Sequence, residues 1–314
     1  MKQAILFPGQ GSQFVGMGKD LYEAFPSVRS IFEEMDDSLS QNLTSLIFEG
    51  PSEQLLLTEN TQPALVAVSI AILKVLDQAG SGITSFSYAA GHSLGEYAAL
   101  CATGVLSFSD TMRALRQRGL AMQQAVPVGQ GGMVALIGAS LDQAEEIARK
   151  VSSHGVCEVA NDNCPGQIVL SGALAALAHV PAVAEELSLR KVIPLNVSAP
   201  FHSSLMEPAA KKMENVLRDL SFGEATCPVI PNVTVTPEIS GDILRNLLVR
   251  QITGRVRWTE TILKLHSLGV TRVVEVAPGK VLSGLVKRIS SEVTALSIHS
   301  PQEIDEFVGL QAQV

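Results

Sequence analysis

From Gly132 to Ser198 the sequence alternates between short apolar runs and helix-spaced apolar stripes. The runs fall at 133–137, 157–160, 167–170 and 191–195, and the stripes at 141–152 and 173–187, the second interrupted by Pro181. Short apolar runs suit strands and stripes of period 3.6 suit helices. The order strand, helix, strand, strand, helix, strand is the ferredoxin-like βαββαβ arrangement. Such a unit accounts for only part of 314 residues, and strand-helix alternation resumes beyond it, as in the run 272–276, the loop 277–280 and the helix that follows. The expected fold class is therefore α/β. A large α/β domain over 1–127 and 199–314 is interrupted by a ferredoxin-like small domain over 128–198.

Hydrophobic residues make up 46% of the chain, enough for a sizeable core. The longest uncharged apolar run, 63–73, ends at Lys74 and is well short of the roughly 20 residues that span a bilayer. It reads as a buried helix, and no membrane association is expected. The first residues, MKQAILFPGQGSQ, lack the apolar core of a secretory signal, so a cytoplasmic location is expected. Cys101, Cys157, Cys164 and Cys227 include no C-x-x-C pair, which points to reduced structural thiols rather than a zinc site or a disulfide scaffold. A net charge of −8 argues against general nucleic-acid binding.

Within AAGHSLGEYAAL, residues 89–100, Ser93 stands between two glycines at the spacing G-x-S-x-G. A strand is expected before it over 86–90 and an alanine- and leucine-rich helix after it over 94–103. A serine at a strand-to-helix turn has its hydroxyl exposed and backbone N–H groups beside it, the context of a nucleophile elbow. The other glycine loop, GQGSQ at 9–13, has Phe14 where a dinucleotide fingerprint needs its third glycine, and no G-K-[ST] follows.

A serine nucleophile needs a base, usually histidine. His92 ends a strand and should point away from Ser93, while His154, His179, His266 and His299 occupy ordinary helix or loop positions. His202 lies where the chain leaves the small domain, turns at Pro200 and starts a helix, a crossover that faces the cleft between domains. Arg118 is set on an apolar helical stripe with Met112, Leu115, Gly119 and Met122, whereas Arg113 and Arg116 fall toward the other face. A guanidinium on a packed face requires an anion, either an internal carboxylate or one brought by a substrate.

GQGSQ (9–13), QPA (62–64), GHSLGEY (91–97), RGLAMQ (118–123), NDNCPGQ (161–167), SAPFH (198–202) and Gln251 through VRW (256–258) occur in that order. The set resembles the malonyl-CoA:acyl-carrier-protein transacylases over nearly the whole chain, and shares much with acyltransferase domains of polyketide and fatty-acid synthases. It departs at Arg255, where many members carry proline.

The resemblance implies an α/β-hydrolase-like large domain with a ferredoxin-like insert. It implies Ser93 as acyl-accepting nucleophile, His202 as base, the Gln251 backbone carbonyl as the group orienting that histidine, and the N–H groups of Gln10 and Leu94 as oxyanion hole. Arg118 matches the arginine that pairs with the malonyl carboxylate, and Phe201 the bulky residue associated with malonyl over methylmalonyl. Malonyl-CoA and holo acyl carrier protein are the implied partners, in a ping-pong transfer serving fatty-acid synthesis without metal or bound cofactor. A polyketide-pathway acyltransferase and an acyl-thioester hydrolase are the alternatives. The stretch 245–257, with four arginines and no acid, is the candidate basic patch for an acidic carrier, through Arg255 and Arg257, unless these pair with the enzyme's own acids.

Overall fold

The computed structural model describes residues 2–189, 191–197 and 199–311. Among the described residues ten strands follow in chain order: β1 Lys2–Phe7, β2 Tyr88–Gly91, β3 Gly131–Ile137, β4 Cys157–Cys164, β5 Gln167–Ala173, β6 Lys191–Pro194, β7 Val229–Ile230, β8 Val256–Arg257, β9 Val270–Val276 and β10 Thr294–Ile298. They form two five-stranded sheets, ordered β10-β9-β1-β2-β7 and β6-β3-β5-β4-β8.

The first sheet is parallel throughout. A parallel sheet carries helices on both faces, so its strands are apolar on both sides. In β1, Ile5 and Phe7 join one core cluster while Ala4 and Leu6 join another, the alternation a pleated strand imposes. The larger cluster takes in helices Thr58–Gln78 and Phe108–Gln124, and the other takes in Trp258–Ser267 and Val281–Ile289. The expected buried helix at 63–73 is thus the middle of a longer one. No helix among the described residues is long and apolar enough to cross a membrane.

In the second sheet β3 pairs antiparallel with β5 and β6, and β4 antiparallel with β5, which with helices Leu141–Val151 and Val180–Glu186 gives the ferredoxin-like order. The helix expected over 173–187 is two, Leu174–Leu177 and Val180–Glu186, because Pro181 opens the second instead of lying inside one. β4 runs on through the polar Asn161, Asp162 and Asn163, which are buried because β8 pairs in parallel with that end, Asn161 opposite Val256 and Asp162 opposite Arg257. The second sheet therefore borrows its edge from the segment that follows the expected insert. The expected boundary at residue 198 lies outside the described residues.

Candidate active site

The site lies at the carboxyl ends of the parallel strands, where open α/β sheets form their crevices. β2 ends at Gly91, and the chain reverses into helix Gly95–Ala102 with Ser93 at a left-handed φ of 53°. Both glycines are required by contact. A Cβ on Gly91 would stand 1.9 Å from the Gly95 carbonyl oxygen, and one on Gly95 would stand 2.4 Å from the Phe7 carbonyl oxygen of β1. Asn232 braces the turn, its Oδ1 accepting the Ser93 N–H at 2.8 Å and its Nδ2 donating to the Gly91 carbonyl at 2.7 Å.

His202 also has a left-handed φ, 57°, and its Nε2 lies 2.7 Å from Ser93 Oγ. Its Nδ1 lies 2.9 Å from the Gln251 carbonyl and 3.2 Å from that of Gly254. Carbonyls only accept, so the proton is assigned to Nδ1 and the Nε2 lone pair faces the serine hydroxyl. Burial, with the positive charge of Arg118 second, pushes the His202 pKa down to about 3, while the two carbonyl contacts oppose the shift. The imidazole is therefore neutral and able to accept the serine proton at physiological pH.

None of the other histidines bonds to the serine. His92 turns to Asn163, Nε2 to Oδ1 2.8 Å, with its ring tilted against Trp258. His154 stacks on His179, and His266 and His299 face Glu292 and Glu303.

Arg118 is 1% exposed, on the stripe the helical spacing gives it. A Cβ on Gly119 would stand 2.5 Å from Glu59 Cα, so glycine there lets helix Phe108–Gln124 approach helix Thr58–Gln78 and brings Gln62 within reach. Arg118 Nη1 donates to Gln62 Oε1 at 2.8 Å, and Nη2 donates to Gln251 Oε1 at 2.9 Å and to Ser93 Oγ at 3.2 Å. Its guanidinium lies over the Tyr97 ring, 5.5 Å from the centroid. Among the described residues these partners are all uncharged, and no carboxylate forms an ion pair with it. The internal ion pair that would have made Arg118 merely structural is therefore not formed. The buried carboxyl of Glu96 acts on this cation only through space, so a guanidinium bonded to no carboxylate and touching the serine can receive an anion from outside.

Gln10, Leu94 and Phe201 line the same cleft, of about 370 Å³, with Ser93, Arg118 and His202. Neither the Gln10 nor the Leu94 N–H donates to a protein acceptor among the described residues, whereas the Ser93 N–H is taken by Asn232. Met133, Asn161, Leu195 and Val197 line the cleft as well. The arrangement can take a proton from the serine, stabilise a tetrahedral oxyanion and hold an acyl group bearing a carboxylate. Residues 5–304 match the acyl transferase domain family.

The chain belongs to that family. It is 45% identical over 305 residues to the malonyl CoA-acyl carrier protein transacylase of Bacillus subtilis, covering 97% of this chain and 95% of that one. The structure is similar to that of the acyl-carrier-protein-S-malonyltransferase of Bartonella henselae, with TM-score 0.97 and 48% identity over 99% of this chain and 100% of the other. A malonyl-transacylase solved in complex with a type II PKS acyl-carrier protein gives TM-score 0.96 and 39% identity, covering 99% and 100%.

Two features of this acyltransferase depart from, or go beyond, the expectations. The stretch 245–257 is not a patch of four free cations, because acids outside it pair with three of its arginines, Arg245 with Asp242, Arg255 with Glu145 at 2.9 Å and Arg257 with Glu260, while the exposed Arg250 forms no ion pair among the described residues. Asn232 and the buried Glu96 are part of the site although sequence reasoning gave neither a role. Asn232 lies in a stretch with no periodic or motif signal, and Glu96 was visible only as the acid after the serine turn.

Proposed function

We propose that this acyltransferase moves a malonyl group from malonyl-CoA to the phosphopantetheine thiol of holo acyl carrier protein, supplying fatty-acid synthesis. The observation that carries the reading is the buried Arg118, bonded to no carboxylate, against a Ser93–His202 pair. Transacylases named for malonyl CoA and acyl carrier protein, one of them 45% identical, support the same substrates.

Ser93 Oγ attacks the thioester carbonyl as His202 Nε2 takes the hydroxyl proton. The oxyanion is held by the N–H groups of Leu94 and Gln10, each worth roughly 3–4 kcal/mol in sites of this kind. Collapse expels coenzyme A, which leaves as its thiol with the proton from His202. The carrier's thiol then gives its proton to the same nitrogen, attacks the malonyl-serine ester, and Ser93 recovers its proton on leaving. Imidazolium beside Arg118 is disfavoured in the free enzyme. A malonyl carboxylate on Arg118 cancels that repulsion, so the correct acyl group strengthens its own base.

Phe201, 8% exposed against the cleft, limits room for a branched acyl group, which favours malonyl over methylmalonyl. Residues 1–127 with 199–314 form the catalytic unit in this reading and 128–198 the insert, each giving one wall of the cleft. The steps use only groups of the chain and its two substrates, with no metal or bound cofactor. Four cysteines without disulfides suit a cytoplasmic location. The relative solved with a polyketide carrier favours, as second reading, service to polyketide synthesis.

The test is incubation with malonyl-CoA, with and without holo carrier protein, following free coenzyme A, malonate and malonyl-carrier by mass. Carrier-dependent malonyl-carrier formation is expected. Release of malonate at a similar rate without carrier would identify a thioesterase instead.

A further inference from the structure

Glu96 is fully buried in the first turn of helix Gly95–Ala102, and the chemistry above does not use it. A carboxyl group withdrawn from water is costly unless hydrogen-bonded. Its Oε2 accepts from the Asn232 backbone N–H at 2.9 Å and from Gln251 Nε2 at 2.8 Å, while Oε1 has no partner among the described residues.

Gln251 joins the three working groups of the site. Its backbone carbonyl holds His202, and its side-chain oxygen accepts from Arg118 at 2.9 Å. Its side-chain nitrogen donates to the Ser93 carbonyl at 2.9 Å and to Glu96. The two ends of this amide are not interchangeable. Reversed, its NH₂ would face the guanidinium, donor against donor, and its oxygen would face the Ser93 and Glu96 oxygens. A carboxylate is the strongest acceptor the NH₂ can find, so Glu96 is the group that most firmly sets the amide's direction. The amide's direction in turn decides whether Arg118 meets an acceptor that holds its fork beside Ser93.

We propose that Glu96 is a positioning residue for acyl selection, acting through the Gln251 amide to hold Arg118 where it reads the substrate carboxylate. The inference rests on the malonyl reading above. Either protonation state of Glu96 serves it, because a proton on the unpartnered Oε1 leaves Oε2 free to accept both hydrogen bonds. A glutamine side chain can do the same, with its carbonyl oxygen in the Oε2 position. What matters is an acceptor at that position rather than the charge.

The experiment compares kcat/KM for malonyl-CoA and acetyl-CoA in the wild type, Glu96→Gln, Glu96→Ala and Gln251→Met. The wild type is expected to prefer malonyl strongly, Glu96→Gln to keep that preference, and Glu96→Ala to lose it by about tenfold or more through a displaced Arg118. Gln251→Met keeps the backbone carbonyl on His202 and should lose the preference similarly, which covers the case in which Glu96→Ala does not fold. A merely structural Glu96 would lower both substrates alike and leave the ratio unmoved. An unchanged ratio in Glu96→Ala or Gln251→Met, or a ratio lost equally in Glu96→Gln, overturns the proposal. A wild type with no malonyl preference would instead overturn the functional reading on which it rests.

Discussion

Arg118→Ala separates recognition of the acyl group from the chemistry done on it. In the wild type the guanidinium is almost fully withdrawn from water and hydrogen-bonded only to uncharged groups, so a malonyl carboxylate would meet a cation whose attraction is little screened. Truncating one partner of a buried, hydrogen-bonded charge pair costs about 2–5 kcal/mol, equivalent to about 30-fold to a few thousand-fold in kcat/KM. Acetyl-CoA presents no carboxylate, and its transfer depends on Ser93, His202 and the oxyanion donors, which the substitution leaves in place. The variant should therefore lose malonyl transfer by that factor while acetyl transfer is spared or rises, because the charge that opposes imidazolium formation at His202 is gone. Gln62 Oε1 and Gln251 Oε1 lose their donor, at about 1–3 kcal/mol of stability each, partly offset by relief of a buried cation. Initial rates with both thioesters, beside a denaturation curve, supply the numbers. Equal losses for the two acyl groups would refute the argument and make Arg118 a structural residue.

Ser93→Ala should abolish acyl-enzyme formation while leaving the denaturation midpoint nearly unchanged, read by intact mass and circular dichroism. His202→Ala should slow both half-reactions together, by about 10²–10⁴-fold, since one base serves each; slowing of only one would assign the other to a different group. A histidine held near 3 stays neutral well below the ordinary 6.5, so malonyl-enzyme formation should remain level from about pH 7 to about pH 5, and a steep acid fall centred near 6.5 would contradict the burial argument. Burial raises the Glu96 carboxyl from 4.5 to about 7, so its contribution to stability is full below 4.5 and is lost as pH rises through 7. Glu96→Gln should therefore gain on the wild type by on the order of 3 kcal/mol between about pH 4.5 and about pH 8 in denaturant titrations, and a pH-independent difference would refute the shift.

The fold and the site were legible wherever a local pattern had a steric or solvation cause. The G-x-S-x-G turn could be read because a Cβ at Gly91 or Gly95 collides with backbone, leaving no other residue possible. Arg118 could be read because helical spacing put a charge on an apolar stripe. That no carboxylate bonds to it could not be read, since its partners Gln62 and Gln251 are 56 and 133 residues away in the chain. The two-residue β7 and β8 are too short to carry a period, and the polar end of β4 has the composition of a turn. That end is a strand because it is paired on both sides, by β5 and by β8. The arginines of 245–257 look like a free patch until the fold brings Glu145 from the second sheet's segment onto Arg255.

In the proposed transfer malonyl is carried on Ser93 between two thiols. Its most direct measurement is intact and peptide-level mass spectrometry of the wild-type protein after a brief exposure to malonyl-CoA without carrier, followed by addition of holo carrier protein. One malonyl group per chain is expected, on the peptide containing Ser93, stable until the carrier is added and then recovered on the carrier. No adduct, an adduct on another residue, or loss of the Ser93 adduct to water at the same rate with and without carrier would contradict it.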